Sequence, residues 1–194
     1  MREQPVTRGK PSRSGAVVNG VGWGYWSVIL CKPDAVERGL VDEVLNRLDL
    51  PDVTITARQD VVVLPWQIHV HYWDLLVDAD WFTGRDIPQC LHDTYVGRTV
   101  TTALAYGPPG IHRRLRDLLG HYDPVRADIG TIRGDLGEDT LDHAMAQKRL
   151  INNLVHTSDD PEAARRDFGT WYGANRRELL RDPSAPRPRV RSEP

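Results

Sequence analysis

Short, unbroken apolar runs alternate along this chain with stretches whose apolar residues recur every three or four positions. Trp26 to Cys31 (WSVILC) is a β-branched and aromatic run and reads as a buried strand. It ends at Lys32-Pro33-Asp34, where proline stops pairing and biases its predecessor against helix. From Ala35 to Leu48 the apolar positions are Val36, Leu40, Val41, Val44, Leu45 and Leu48. That spacing predicts a helix with Arg38 and Glu43 on its wet face. Val53 to Leu64 (VTITARQDVVVL) predicts a second strand, and Pro65 opens a helix over Trp66 to Val77. The segment Ala79 to Gly84 reads as a surface corner carrying Trp81 and Phe82, and Ile87 to Tyr95 as a helical turn.

Thr99 to Tyr106 (TVTTALAY) is rich in β-formers and predicts a third strand. The loop Gly107 to Gly110 leads into a short basic helix, Ile111 to Leu119, ended by Gly120. A fourth strand is expected over Gly130 to Leu136, followed by a helical piece from Thr140 to Leu150. Asp160-Pro161-Glu162 starts the last helix, with proline early and acids in the first turn. Residues 1–24 read as a flexible N-terminal arm, 25–180 as one domain, and 181–194 as a disordered proline- and arginine-rich tail. The succession of strands and helices implies an α+β sandwich, helices covering an antiparallel-dominated sheet.

At 194 residues, 40% hydrophobic and 27% charged, the chain can bury one ordinary core. A net charge of −2 gives no reason to expect a nucleic-acid partner. No apolar run reaches membrane-spanning length, and the N-terminal residues lack the pattern of a secretory signal. Cys31 and Cys90 fall in no metal or redox spacing and read as reduced thiols of a cytoplasmic protein. His69 and His71 would share a face on a strand and suggest a metal, but on the expected helix they diverge, so no metal ligand is assigned. Trp66, Trp73 and Trp171 read as core or interface fillers.

The chemistry gathers between Gly130 and Trp171. There, NLVHTSDD (Asn153 to Asp160) sets His156 after a short apolar run and before an acidic helix start, and TIRGD (Thr131 to Asp135) carries Arg133. A histidine with cations brought close to it suits chemistry on phosphate. With KPDAVERGL (Lys32 to Leu40) after a strand, these blocks resemble, in order, the motifs of the nucleoside diphosphate kinase family. The resemblance spans roughly Trp26 to Tyr172. It implies a ferredoxin-like βαββαβ fold with a four-stranded antiparallel sheet. It also implies a ping-pong transfer of the γ-phosphate of a nucleoside triphosphate to a nucleoside diphosphate. By the resemblance, His156 is the nucleophile, while Lys32, Arg116 and Arg133 neutralise phosphate oxygens. Tyr72 matches a tyrosine near the histidine, Asn153 the contact to the nucleotide sugar, and Trp81 or Phe82 the base-stacking lip. Ser158 and Asp167 match the hydrogen-bonding support of the histidine. Mg2+ is expected on the nucleotide's phosphates, and the assembly is expected to be a homo-oligomer, hexamer or tetramer.

The chain departs from the family pattern in several places. Asp167 stands where the family has a glutamate that orients the histidine, and Tyr122 where it has a phosphate-binding threonine. Insertions lie at Gly137 to Leu150 and between Gly84 and Tyr95. The alternative reading, a catalytically weak or inactive nucleotide-binding or scaffold protein of the same fold, rests on these departures.

Overall fold

The computed structural model describes residues 17–77 and 84–183. Residues 17–24 of the expected arm fold into a small antiparallel hairpin, β1 (Val17–Val18) and β2 (Val21–Gly22), and enter a 3-10 turn at Trp23. The remainder of the arm (1–16), the lip residues Trp81 and Phe82, and the tail from 184 lie outside the described residues.

The main sheet has four strands, β3 (Trp26–Cys31), β4 (Thr54–Val62), β5 (Thr99–Tyr106) and β6 (Val155–Thr157). Their order is β4-β5-β3-β6, every neighbour antiparallel. The central strand β3 is buried along its whole length, because helices cover both faces. On one face α2 (Val41–Leu48) and α6 (Ile111–Leu119) pack Val44, Leu48, Leu115 and Leu119 against Ile29, Ala103 and Val155. On the other, α3 (Pro65–His71), α5 (Ile87–Tyr95) and α9 (Pro161–Trp171) pack Ile68, Leu91 and Phe168 against Val28, Leu30 and Leu104. The period of two in a strand sorts alternate residues into these two cores. The core succession is β3-α2-β4-β5-α6-β6, the ferredoxin-like βαββαβ arrangement, with α3, a short α4 (Trp73–Val77) and α5 inserted between β4 and β5.

The helix expected over Ala35–Leu48 is divided into α1 (Pro33–Glu37) and α2, with Gly39 at φ +67 between them. The fourth strand expected at Gly130–Leu136 is not a strand. Ile132–Leu136 is a one-turn helix, α7, in which the Thr131 hydroxyl accepts from the Gly134 amide and caps the turn. Gly134 is required there, because a Cβ would overlap the Asp128 carbonyl oxygen. A local cap and a tight turn thus override the β propensity of Thr131 and Ile132, and β6 takes the edge of the sheet beside β3. Trp171 is buried, but Trp66 and Trp73 lie exposed on α3 and α4.

Candidate active site

The backbone that delivers His156 is held before the side chain is considered. Leu154 has φ +70, an uncommon conformation for a residue with a Cβ. Its amide donates to Asp34 Oδ2 (3.0 Å) and its carbonyl accepts from the Lys32 amide (2.8 Å). The chain then enters β6, where Val155 turns into the α2/α6 core. Alternation therefore sends His156 to the opposite face, toward α3 and α9.

There the His156 ring meets His71 at 4.9 Å between centroids and 87°, and Tyr72 at 5.7 Å and 55°. Burial drives the His156 pKa well below its ordinary value. His71, Lys32 and Arg116 push the same way, and Asp167 opposes them. The imidazole is consequently neutral at pH 7, with a ring nitrogen lone pair free to attack.

Asp167, on α9, is fully buried. Burial alone would raise its pKa, but His71 and Ser158 outweigh burial and hold it at about 2. Its Oδ1 lies 2.9 Å from His71 Nδ1, and its Oδ2 accepts from Ser158 Oγ at 2.8 Å. The resemblance implies that Asp167 orients His156; the hydrogen bonds of this carboxylate go instead to His71 and Ser158. Ser158 also accepts from the Val28 amide at 3.1 Å, tying the cluster to the central strand. The Trp171 indole nitrogen lies 3.2 Å from His71 Nδ1. An ionised carboxylate needs a donor, so Nδ1 carries a proton toward Asp167 and cannot accept from the indole.

The cations come from three elements. Lys32, at the start of α1, donates from Nζ to Asn153 Oδ1 at 2.6 Å. Burial lowers its pKa to about 8, with Arg133 adding to the effect and Asp34 opposing it. Arg133, on α7, donates to the carbonyls of Asn153, Gly120 and Val155 at 3.2, 3.0 and 2.7 Å. Gly120, at φ +79, also leaves room for Thr131, which a Cβ there would overlap. A guanidinium has five N–H donors, so Arg133 keeps some for a ligand. Arg116, on α6, is more exposed and ion-paired with Asp159.

Asn153 is buried, and its Nδ2 donates to the Tyr122 carbonyl at 2.7 Å. Tyr122 thus enters the site wall through its backbone; the residue is 37% exposed, and its ring stacks on His121. Tyr72 is held by a hydroxyl–hydroxyl bond of 2.8 Å to Tyr95, which is fully buried on α5.

Neither His71 nor Tyr95 stands out in the sequence as a site residue. On the sequence His71 reads only as a metal-ligand candidate with His69, and the usable signal is its place beside Tyr72. No group of three or more His, Cys, Asp or Glu side chains able to hold a metal occurs among the described residues. The two insertions meet each other: Cys90 Sγ donates to the Lys148 carbonyl (3.1 Å) and Arg85 to the Arg149 carbonyl (3.0 Å).

Comparison with known proteins finds similar sequences and folds. The family model described as nucleoside diphosphate kinase matches residues 26–176. A nucleoside diphosphate kinase of Nocardia farcinica is 35% identical over 147 residues, spanning 75% of this chain and 93% of the relative. One from Pyrobaculum aerophilum is 31% identical with the same coverage. Among solved structures, a Borrelia burgdorferi nucleoside diphosphate kinase, a transition-state mimic with bound vanadate and ADP, superposes with a TM-score of 0.71. It is 25% identical, over 81% of this chain and 90% of that one. The structure of the Pyrobaculum aerophilum enzyme gives a TM-score of 0.67 at 28% identity, over 81% and 99% of the two chains.

Proposed function

The chain belongs to the nucleoside diphosphate kinase family, and from this we propose that it moves the γ-phosphate of a nucleoside triphosphate to a nucleoside diphosphate through a phosphorylated His156. The observation that carries the reading is the His156 imidazole turned from β6 against His71 and Tyr72, with burial, Lys32 and Arg116 all lowering its pKa.

In the first half-reaction the His156 lone pair forms a nitrogen–phosphorus bond as the bond from the γ-phosphorus to its bridging oxygen breaks. The electron pair leaves on the departing diphosphate. In the second, a terminal oxygen of the acceptor diphosphate attacks that phosphorus, and the nitrogen–phosphorus bond returns its pair to His156. Lys32, Arg116 and the spare N–H groups of Arg133 balance the charge spread over the transferring oxygens. Arg116 must exchange Asp159 for phosphate to do so. Asn153 holds Lys32 and takes the sugar, Tyr72 closes the ring's flank, and Ser158 with Asp167 braces the nucleophile from behind. Trp81 or Phe82 stacks the base, which is tolerant of base identity, and the Tyr122 backbone closes the wall. The donor set is cationic and so fits a metal that arrives on the nucleotide. Mg2+ carried in by the nucleotide's phosphates would supply further charge neutralisation there.

The Borrelia relative holds vanadate and ADP, which supports the reading that this chain takes a nucleotide. A homo-oligomer, hexamer or tetramer, working in the cytoplasm accompanies this reading. No helix among the described residues is long and apolar enough to cross a membrane.

The test is phosphotransfer from ATP with Mg2+ to a panel of nucleoside diphosphates, with His156→Ala alongside. Transfer to several acceptors through an acid-labile phosphoenzyme, absent in the variant, is the expected result. Transfer to one acceptor only would mean a narrowed site. Absence of any label would leave a nucleotide-binding protein without this activity.

A further inference from the structure

The phosphotransfer uses no group of His71, although its surroundings are tightly constrained. Its side chain and that of Asp167 are both 0% exposed and meet at 2.9 Å. Three rings box the imidazole edge-on: Tyr72 at 4.7 Å, Trp171 at 5.5 Å and His156 at 4.9 Å. Its Nε2 is buried and has no hydrogen-bond partner among the described residues. Such a nitrogen is costly to bury unpaired, and a working site is where an unpaired group of this kind earns an explanation. In the neutral ring, the Nδ1 proton directed at Asp167 leaves the lone pair on Nε2. It is therefore an acceptor waiting beside the nucleophile. His156, for its part, acquires positive charge on attack, and its non-attacking nitrogen carries an N–H in need of an acceptor.

We propose that His71, anchored by Asp167, is the positioning residue of His156: it fixes the plane of the nucleophile's ring and accepts, through Nε2, the hydrogen bond of the His156 N–H as phosphorus bonds to the other nitrogen. No proton is transferred, and the chain runs Asp167 carboxylate, His71 Nδ1–H, His71 Nε2, His156 N–H. Asp167 acts on the nucleophile through His71. This inference rests on His156 being the phosphorylated residue.

Two amide replacements separate the roles of the His71 ring nitrogens. The amide of asparagine takes the place of Nδ1 and can still donate to Asp167; that of glutamine reaches the place of Nε2 and can accept from His156. The experiment is single-turnover phosphorylation of the full chain by labelled ATP with Mg2+, over a range of ATP concentrations, with a thermal melt of each variant. His71→Asn is expected to slow the saturating rate by about 10–100-fold, with the half-saturating ATP concentration nearly unchanged, and His71→Gln to recover most of the rate. Asp167→Asn, which can no longer fix the His71 tautomer, is expected to slow the saturating rate likewise, and serves if the His71 variants do not fold.

Wild-type rates in His71→Asn, or a rate restored by asparagine and not by glutamine, would overturn the proposal. So would a loss confined to the half-saturating concentration, or one that only tracks melting temperature. The wild type and His156→Ala are run together to keep the two readings apart. If the wild type takes no label, the functional reading fails and the positioning role fails with it. If the wild type labels and His156→Ala does not, the His71 variants alone decide this proposal.

Discussion

At the level of single side chains, the site is assembled by removing water from charged groups and then pairing them. Lys32 shows the consequence. Burial brings its pKa to about 8 from an ordinary 10.5, so the folded protein releases that proton more readily than the unfolded chain. The charged form costs stability below pH 8, and the penalty fades between about 8 and 10.5 as the unfolded chain keeps the proton that the folded one has lost. Nucleotide binding runs the other way, because phosphate favours charged Lys32. Affinity for a nucleoside diphosphate is expected to weaken above pH 8, by at most about tenfold per pH unit. Titration calorimetry across pH 7 to 9 measures it; Lys32→Met should bind weakly, with this pH dependence gone. An equally steep decline in Lys32→Met would assign it to another group.

Among the elements, α7 carries more of the site than its five residues suggest. Its Arg133 stitches the carbonyls of Gly120, Asn153 and Val155, and so joins the end of α6 to the start of β6. The turn exists because Thr131 caps it and Gly134 clears the Asp128 carbonyl. Gly134→Ala is therefore expected to destabilise the fold by about 1–3 kcal/mol and to lower the phosphorylation rate by displacing Arg133. Urea unfolding and a single-turnover assay check the two halves. An unchanged midpoint would show that the Asp128 loop yields freely. β6 is the converse case: only three residues long, it pairs with β3, and its register decides that Val155, not His156, enters the α2/α6 core.

Across the molecule, the face of the sheet that holds the site depends on buried ionisation. Asp167 joins α9 to α3 through His71, and its pKa of about 2 lies below the ordinary 3.8. Its contribution to stability is thus fully present above about pH 4 and is lost as pH falls from 4 toward 2. Asp139 acts in the same direction in the second insertion: burial raises its pKa, but Arg149 and the Asn152 amide outweigh that and hold it below the ordinary range. Acid unfolding of the wild type should therefore steepen between pH 4 and 2. Asp167→Asn, less stable at pH 7, should lose less over that interval when followed by denaturant midpoints at each pH. Parallel pH curves for the two proteins would mean that Asp167 ionises alike in the folded and unfolded states.

The motifs at Lys32, Arg133 and His156, and the family they resemble, were legible because each is a local string whose residue types suit phosphate chemistry. The strands β3, β4 and β5 and most of the helices were legible because burial imposes a period on the chain. What the linear pattern did not contain was the pairing. Thr131 and Ile132 look like a strand until the cap to Gly134 closes a turn, and Val155 to Thr157 is too short to declare itself without β3 beside it. Asp167 matches a residue that would reach His156, yet packing of α9 on α3 brings His71 to it instead. Periodicity and motif follow from neighbours along the chain, but hydrogen-bond partners follow from which groups burial strips of water together, and only the folded chain decides that.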